Sequence, residues 1–461
     1  MSLPRRRVSV SSTRSDSPLV FATAPNADSE AWLAEWKAVL AKDIIDSPVV
    51  TVDADTSVED ACELLLSKDL GCLAVKIPPN RSPKASPFYG LFDFADVNAF
   101  LTLAATRHKI SVEALREKPR VQEILDAAGT GKVPAYLVSN LSEKNPLEVL
   151  PSDANLVDLL AVFARGAHRA IIQAAPASPS SSQPYSTSAY LGLVSDRALL
   201  AWLTLHAERT PSLLRFLSVP LTSLALPSLH LYAAVIAANA RDSVLSAMRL
   251  MCDEGVGSIA VVDEESGGLL SAVSVTDIGR VIVPAQSNAI LGTALRELVA
   301  KIKEPDGSTD GADKFPVYSV TPNNTLFYTM QKLLATNAHR VFVTDSDSPP
   351  SSTSNFTAPT PNNLCGIVSV VDVLSLFALT ANIPDVDPTR MQRHRRASST
   401  SSGESPFAGP GGGSPGPSPR RSNSRSSSSG RTAGARHQRR VGSFDAAGVP
   451  AVLKWAERVT E

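Results

Sequence analysis

The chain has little of what marks a secreted, membrane-spanning or metal-clipped protein. Only four cysteines occur in 461 residues, Cys62, Cys72, Cys252 and Cys365, and none stands at metal-ligand or redox spacing from another. They read as reduced, buried thiols of a cytoplasmic and nuclear protein. Arg5-Arg6-Arg7 is followed by no apolar core, so no secretory signal is expected. The richest apolar window, Leu221 to Ala240, is broken by Pro227 and His230, and reads as buried strand and helix, not as a membrane span. The seven histidines show no ligand-like spacing, so no metal site is expected. Gly409 to Gly413 lacks the Lys-Ser/Thr that completes a phosphate loop. No nucleophile and base can be paired, so the chain is not expected to be an enzyme.

Charge is scarce overall and unevenly placed. The net charge is -1, yet residues 388–461 hold 13 Lys or Arg against 4 Asp or Glu. The rest is therefore mildly acidic and the tail basic, which argues against a nucleic-acid-binding domain.

A repeated unit is present instead. From Asn337 to Phe377 the order is strand, Ser/Thr/Pro-rich loop, strand and then a helix starting near Asp372. A short strand, a turn, a Ser or Thr helix cap and an apolar-periodic helix run from Pro48 to Ala61. The same syntax returns with Leu156, Val244 and Leu326 in the place of Val58, at spacings of 98, 88 and 82 residues. Each copy continues through two strands to a second helix. The loop between those strands is swollen at Ile77 to Pro87, Pro176 to Ser188 and Ser346 to Asn363, but short at Glu264 to Gly268, as expected of exposed hairpin tips. Ahead of the first copy, Trp32, Trp36 and Leu40 recur every four residues behind Asp28 or Ser29 as cap, predicting a helix packed on the domain that follows. Val452, Trp455, Ala456 and Val459 predict a short terminal helix behind Pro450.

The fourfold unit, with Gly366-Ile367-Val368-Ser369-Val370-Val371-Asp372 at its last strand, resembles the cystathionine-β-synthase (CBS) repeat from about residue 44 to 380. The implied fold is α/β: four CBS repeats forming two tandem-repeat (Bateman) modules. The expected bounds are 28–108 (a helix plus repeat 1), 121–207, 213–284 and 291–380, between disordered tails 1–27 and 383–461. In architecture this resembles the γ subunit of AMP-activated kinase. Over the whole chain it is similar to the fungal Sds/Moc family, through Tyr89-Gly90-Leu91-Phe92-Asp93-Phe94-Ala95-Asp96-Val97-Asn98-Ala99-Phe100 and Asp387-Pro388-Thr389-Arg390-Met391-Gln392-Arg393-His394-Arg395-Arg396. That resemblance implies a regulator inhibiting or controlling a type 2A-like protein phosphatase in stress and nutrient signalling, mitosis, DNA replication and cell separation. The kinase-subunit resemblance implies the alternative, an adenine-nucleotide-sensing subunit of a kinase complex. Neither implies a membrane or a required cofactor. Whether the modules close on each other within one chain or in a homodimer stays open at this point.

The copies differ in their site residues. His168-Arg169 and His339-Arg340 open the first long strand of copies two and four only. Basic groups suit phosphates, and a carboxylate suits a ribose hydroxyl. The resemblance accordingly implies AMP, ADP or ATP as ligand, held by His168, Arg169, Ser274, Asp277, His339, Arg340, Ser369, Asp372 and Asp96. Copy one places Asp93 where the serine should be, which would repel phosphate, and copy two places Ala198 at the carboxylate position. Asp196 stands two residues too early and is expected to point elsewhere. The second module, with both Ser-x-x-Asp pairs, is the stronger candidate. In the tails, basic residues precede Ser9, Ser398, Ser422 and Ser443, which a kinase with an acidic substrate groove could use, and prolines follow Ser17, Ser405 and Ser418, which would suit proline-directed kinases.

Overall fold

The computed structural model describes residues 26–386 except 79–85, 108–109, 111–114, 117, 176–189, 225–234, 266, 283–288, 304–318, 346–362 and 385. The tail serines, Gly409 to Gly413, the helix expected after Pro450 and most of the three swollen loops lie outside the described residues.

In each repeat a short polar side chain takes up the first free amides of the leading helix. Ser57, Asn155, Ser243 and Thr325 each accept from a backbone N–H at the start of their leading helix. Those helices run Val58–Ser67, Leu156–Ala164, Val244–Asp253 and Leu326–Ala335, so the four aligned apolar anchors are the four first helical residues. Each repeat has a three-stranded sheet, its first strand just ahead of that helix and the other two after it, with one parallel and one antiparallel pairing. Its strands are Thr51–Val52, Leu73–Lys76 and Phe88–Phe92 in repeat 1, and Val149–Leu150, Arg169–Gln173 and Tyr190–Ser195 in repeat 2. In repeat 3 they are Ala237–Asn239, Ser258–Val262 and Leu269–Ser274, and in repeat 4 Ser319–Val320, Arg340–Asp345 and Asn363–Ser369. The closing helices are Phe94–Thr106, Asp196–Arg209, Val275–Ile282 and Val370–Thr380.

Sheets and helices pair the repeats differently. The sheets of repeats 1 and 2 meet around Leu91, Ile171 and Leu193, and those of repeats 3 and 4 around Ala260, Phe342 and Ile367. These are the two modules. The helices instead join repeat 1 to repeat 3 in one core, through Phe100, Leu103 and Met251, and repeat 2 to repeat 4 in the other, through Phe163, Leu200 and Phe377. Asn98 ties the first of these cores, donating to the Met248 carbonyl at 3.2 Å. Both modules therefore close on each other within one chain.

The segment ahead of each repeat belongs to its neighbour. The first helical N–H has no partner inside its own helix, and in all four repeats a carbonyl from such a segment accepts it. Val58 donates to Val133, Leu156 to Val39, Val244 to Thr293 and Leu326 to Val219, at 2.9 to 3.1 Å. The helix Ala27–Ala38 is one of these exchanged pieces. Its cap is Asn26 rather than Asp28 or Ser29, and Ser29 returns the bond from the third helical position. It does not pack on repeat 1, the domain that follows it. Trp36 lies edge-on to Phe377 of repeat 4, Trp32 tilts against Phe216, and the Trp32 indole N–H donates to Ser212 Oγ at 2.9 Å. A four-residue apolar spacing marks a buried face without naming the surface that buries it.

Candidate functional site: a cavity shared by four repeats

A cavity of about 1220 Å³ lies where the four repeats meet, lined among others by Asp93, Arg169, Asp196, Ser274, Asp277 and His339. The turns before the strands Arg169–Gln173 and Arg340–Asp345 bring His168 and His339 there, with ring centroids 5.1 Å apart. His168 and Arg169, adjacent in sequence, diverge as extended neighbours do. The His168 ring meets Asp196 of its own repeat at 2.7 Å, while Arg169 crosses to Asp93 of repeat 1 at 3.6 Å.

The two modules treat their arginine differently. In the first, Arg169 fills the space beside Gly71, where an added Cβ would meet its Nη2 at 2.6 Å. Asp93 occupies the serine position, accepts from Asn145 Nδ2 and from Ala95 N, and holds Arg169. In the second, Arg340 donates to the Ser258 carbonyl at 3.4 Å, and Ser258 is the cross-strand partner of Ser274. A Cβ at Gly257, the counterpart of Gly71, would meet nothing within 4 Å. The first module's recess is filled by its own guanidinium, and the second module's is open.

The carboxylates expected for ribose fall into three situations. Asp277 is half-buried on the cavity wall and accepts from Ser274 N and Oγ at 2.9 and 2.7 Å through one oxygen, Oδ2. Asp372 makes the same pair of bonds with Ser369, but both residues are buried and neither lines the cavity. Asp96 is wholly buried and accepts from Asn140 N, Ser142 N and Ser142 Oγ. Its expected ribose role is displaced by its own chain, because the segment ahead of repeat 2 folds over it. Repeat 2, which lacks a carboxylate at Ala198, borrows one. Asp46, after the exchanged N-terminal helix, accepts from Ser195 N at 3.1 Å and from Ser195 Oγ. Nothing in the local spacing marks Asp46 for this, since the contact depends on the exchanged segment.

Asp196 and two histidines meet in the central cavity. Asp196 does point away from the ribose position, because residues two apart on a helix are about 200° apart around its axis, but that direction is the central cavity. It is fully buried, His168 lies at 2.7 Å and His339 Nδ1 at 3.8 Å. Burial pushes its carboxyl upward, but the charge and hydrogen bonding of His168, with those of His339, outweigh burial and hold it well below the usual carboxylate range. His168, Asp196 and His339 form a group of metal-ligand character, so the absence of histidine clustering along the chain does not carry into three dimensions.

Asp96 makes a testable pH element. Burial, followed by the neighbouring Asp93 charge, raises its carboxyl to about 8, although the Ser142 and Asn140 bonds oppose this. A carboxyl raised on folding stabilises fully below its unfolded range, and the stability is lost as pH rises through the folded value. Thermal stability is thus expected to decline from pH ~5 to ~8 with a contribution of at most about 1.4 kcal/mol per pH unit from this one proton. Asp96→Asn should flatten that slope in pH-resolved melting, and an unchanged slope would remove Asp96 as its source. The thiols show no activation: burial raises Cys62, Cys72 and Cys252, the last to about 11.

The family model of the CBS domain matches residues 41–83, within repeat 1 and the segment before it. Protein SDS23 of Yarrowia lipolytica is 31% identical over 368 residues, covering 77% of this chain and 69% of that protein. The chain belongs to the Sds23 family. Protein sds23 of Aspergillus niger is 26% identical over 86% of this chain and 83% of its own, and protein sds23/moc1 of Schizosaccharomyces pombe is 26% identical over 80% and 88%. A crystal structure from Methanocaldococcus jannaschii, described as a putative archaeal homolog of the AMP-activated kinase γ subunit, covers 74% of this chain and 100% of its own at 15% identity and a TM-score of 0.47. This Sds23-family chain is a CBS-repeat regulatory protein of α/β fold. Among the described residues no helix is long and apolar enough to cross a membrane.

Proposed function

We propose that this Sds23-family chain is a non-catalytic regulator of the cytoplasm and nucleus that restrains a type 2A-like protein phosphatase and takes an adenine nucleotide in its second module. One observation carries the nucleotide part. Arg340, Ser274 and Asp277 converge on the cavity beside the open space at Gly257, whereas the matching space at Gly71 is filled by Arg169. A guanidinium for phosphate and a half-buried carboxylate for ribose hydroxyls are the groups such a ligand needs. The phosphatase part is supported by the family to which the chain belongs. Nucleotide binding and phosphatase control are compatible if the ligand biases the surface that a partner meets.

Calorimetry of the full chain with AMP, ADP and ATP tests the nucleotide part. One binding event is expected, weakened at least tenfold by Asp277→Ala. Gly257→Val should abolish it while the fold is retained, since its Cβ enters open space. Absence of heat with all three nucleotides, or binding indifferent to both substitutions, would reject the nucleotide. Recovery of no phosphatase component with the tagged chain from starved cells would reject the phosphatase.

A further inference from the structure

We propose that His168, Asp196 and His339 form a binding site for one transition-metal ion of the zinc class, tying repeat 2 to repeat 4. The imidazoles come from different modules and the carboxylate from the first turn of the repeat 2 closing helix. One ligand atom from each residue lies within 4.8 Å of the other two. The shortest separation is 2.7 Å, from His168 Nδ1 to Asp196 Oδ2, and His339 Nδ1 lies 3.8 Å from the same oxygen. Tetrahedral zinc with bonds of about 2.0–2.1 Å sets its ligand atoms roughly 3.3 Å apart. The two separations to Asp196 bracket that value, and the imidazole ligand atoms lie within 4.8 Å of each other.

A second observation points to a ligand. Asp196 is 0% exposed, yet its Oδ1 has no hydrogen-bond partner. A buried carboxylate oxygen left unsatisfied is costly, and a cation between the two imidazoles that takes the carboxylate through both oxygens would satisfy it. An ion can arrive, because the His168 and His339 side chains are 24% and 47% exposed toward a cavity that they line. The donor set selects the metal. Two imidazoles and one carboxylate suit Zn²⁺, Co²⁺, Ni²⁺ or Cu²⁺, whereas Mg²⁺ and Ca²⁺ take mostly oxygen ligands. Three protein ligands leave a fourth position facing the cavity, where water or an anion could bind.

The test uses the full chain after chelator treatment, with metal alone and no nucleotide, so its outcome is independent of the proposed nucleotide site. Zn²⁺ calorimetry should give one ion per chain, and Co²⁺ should give visible absorption bands that Zn²⁺ removes. His339→Gln, at the exposed rim, should lower Zn²⁺ affinity at least tenfold, and His168→Gln should do the same, with unchanged circular dichroism. His206→Gln removes a histidine stacked on Trp202 outside the site, and should bind as the parent does. Mg²⁺ should not compete. No stoichiometric Zn²⁺ binding by the parent, or equal binding by the His168→Gln/His339→Gln double variant, would overturn the site.

Discussion

Trp36→Ala is expected to lower stability by about 3–5 kcal/mol, the range for removing a fully buried aromatic side chain. The side chain is 1% exposed and sits edge-on to Phe377 at 5.7 Å between ring centroids. It belongs to the helical core of repeats 2 and 4, although it stands ahead of repeat 1 in the chain. The empty volume cannot collapse easily, because the core it opens in is built from several elements, among them the helices of Phe163, Leu200 and Phe377. Urea unfolding of the purified chain measures the loss. A change below about 1 kcal/mol would show that the N-terminal helix is an appendage instead of part of that core. Tyr328→Ala, at a side chain 44% exposed, is the control, and such surface changes usually stay within about 0.5 kcal/mol.

Arg169→Met should cost about 3 kcal/mol, the lower end of the range for breaking a buried ion pair by removing one partner. The arginine and Asp93 side chains are 19% and 11% exposed, and Asp93 adjoins the wholly buried Asp96. Methionine fills much of the same space but leaves the Asp93 carboxylate, beside the buried Asp96, without the guanidinium between repeats. Asp93→Asn keeps a good helix cap and removes that charge, so the double variant should recover at least half of the loss. Recovery by the second substitution, read from the double-mutant cycle, separates charge from packing. If the double variant is no better than the sum of the singles, Arg169 acts by filling space alone. The nucleotide calorimetry should be unaffected by Arg169→Met, since this side chain is spent on Asp93.

The repeat was legible because its grammar is local. A polar cap, an apolar residue at the first helical position and β-branched runs recur at fixed places, and Val58, Leu156, Val244 and Leu326 all start helices as the alignment requires. What was not legible depends on which surfaces meet. The periodicity of Trp32 and Trp36 says that one face is buried, but repeats 1, 2 and 4 all offer apolar faces to bury it. Asp46 stands 149 residues from Ser195, and only the fold of the exchanged segment joins them. The position of Asp196, two residues early, tells that it points away from the ribose position but not that this direction is a buried cavity shared with another repeat. Asp96 matched the repeat pattern, yet its donors Asn140 and Ser142 come from a stretch outside that pattern.

The crossed pairing of the helices, repeat 1 with 3 and repeat 2 with 4, bears on how this protein can respond to anything it binds. Each helical core takes one repeat from each module, so prising the modules apart would strip both cores at once. Clamshell opening is therefore ruled out as a cheap motion, since it would expose two large apolar faces to water. What remains is sliding along packed helices and side-chain rearrangement at the cavity mouth, movements of an ångström or two. A partner would accordingly read the occupancy of the cavity in the rim it lines, as a change in charge and shape on a rigid frame.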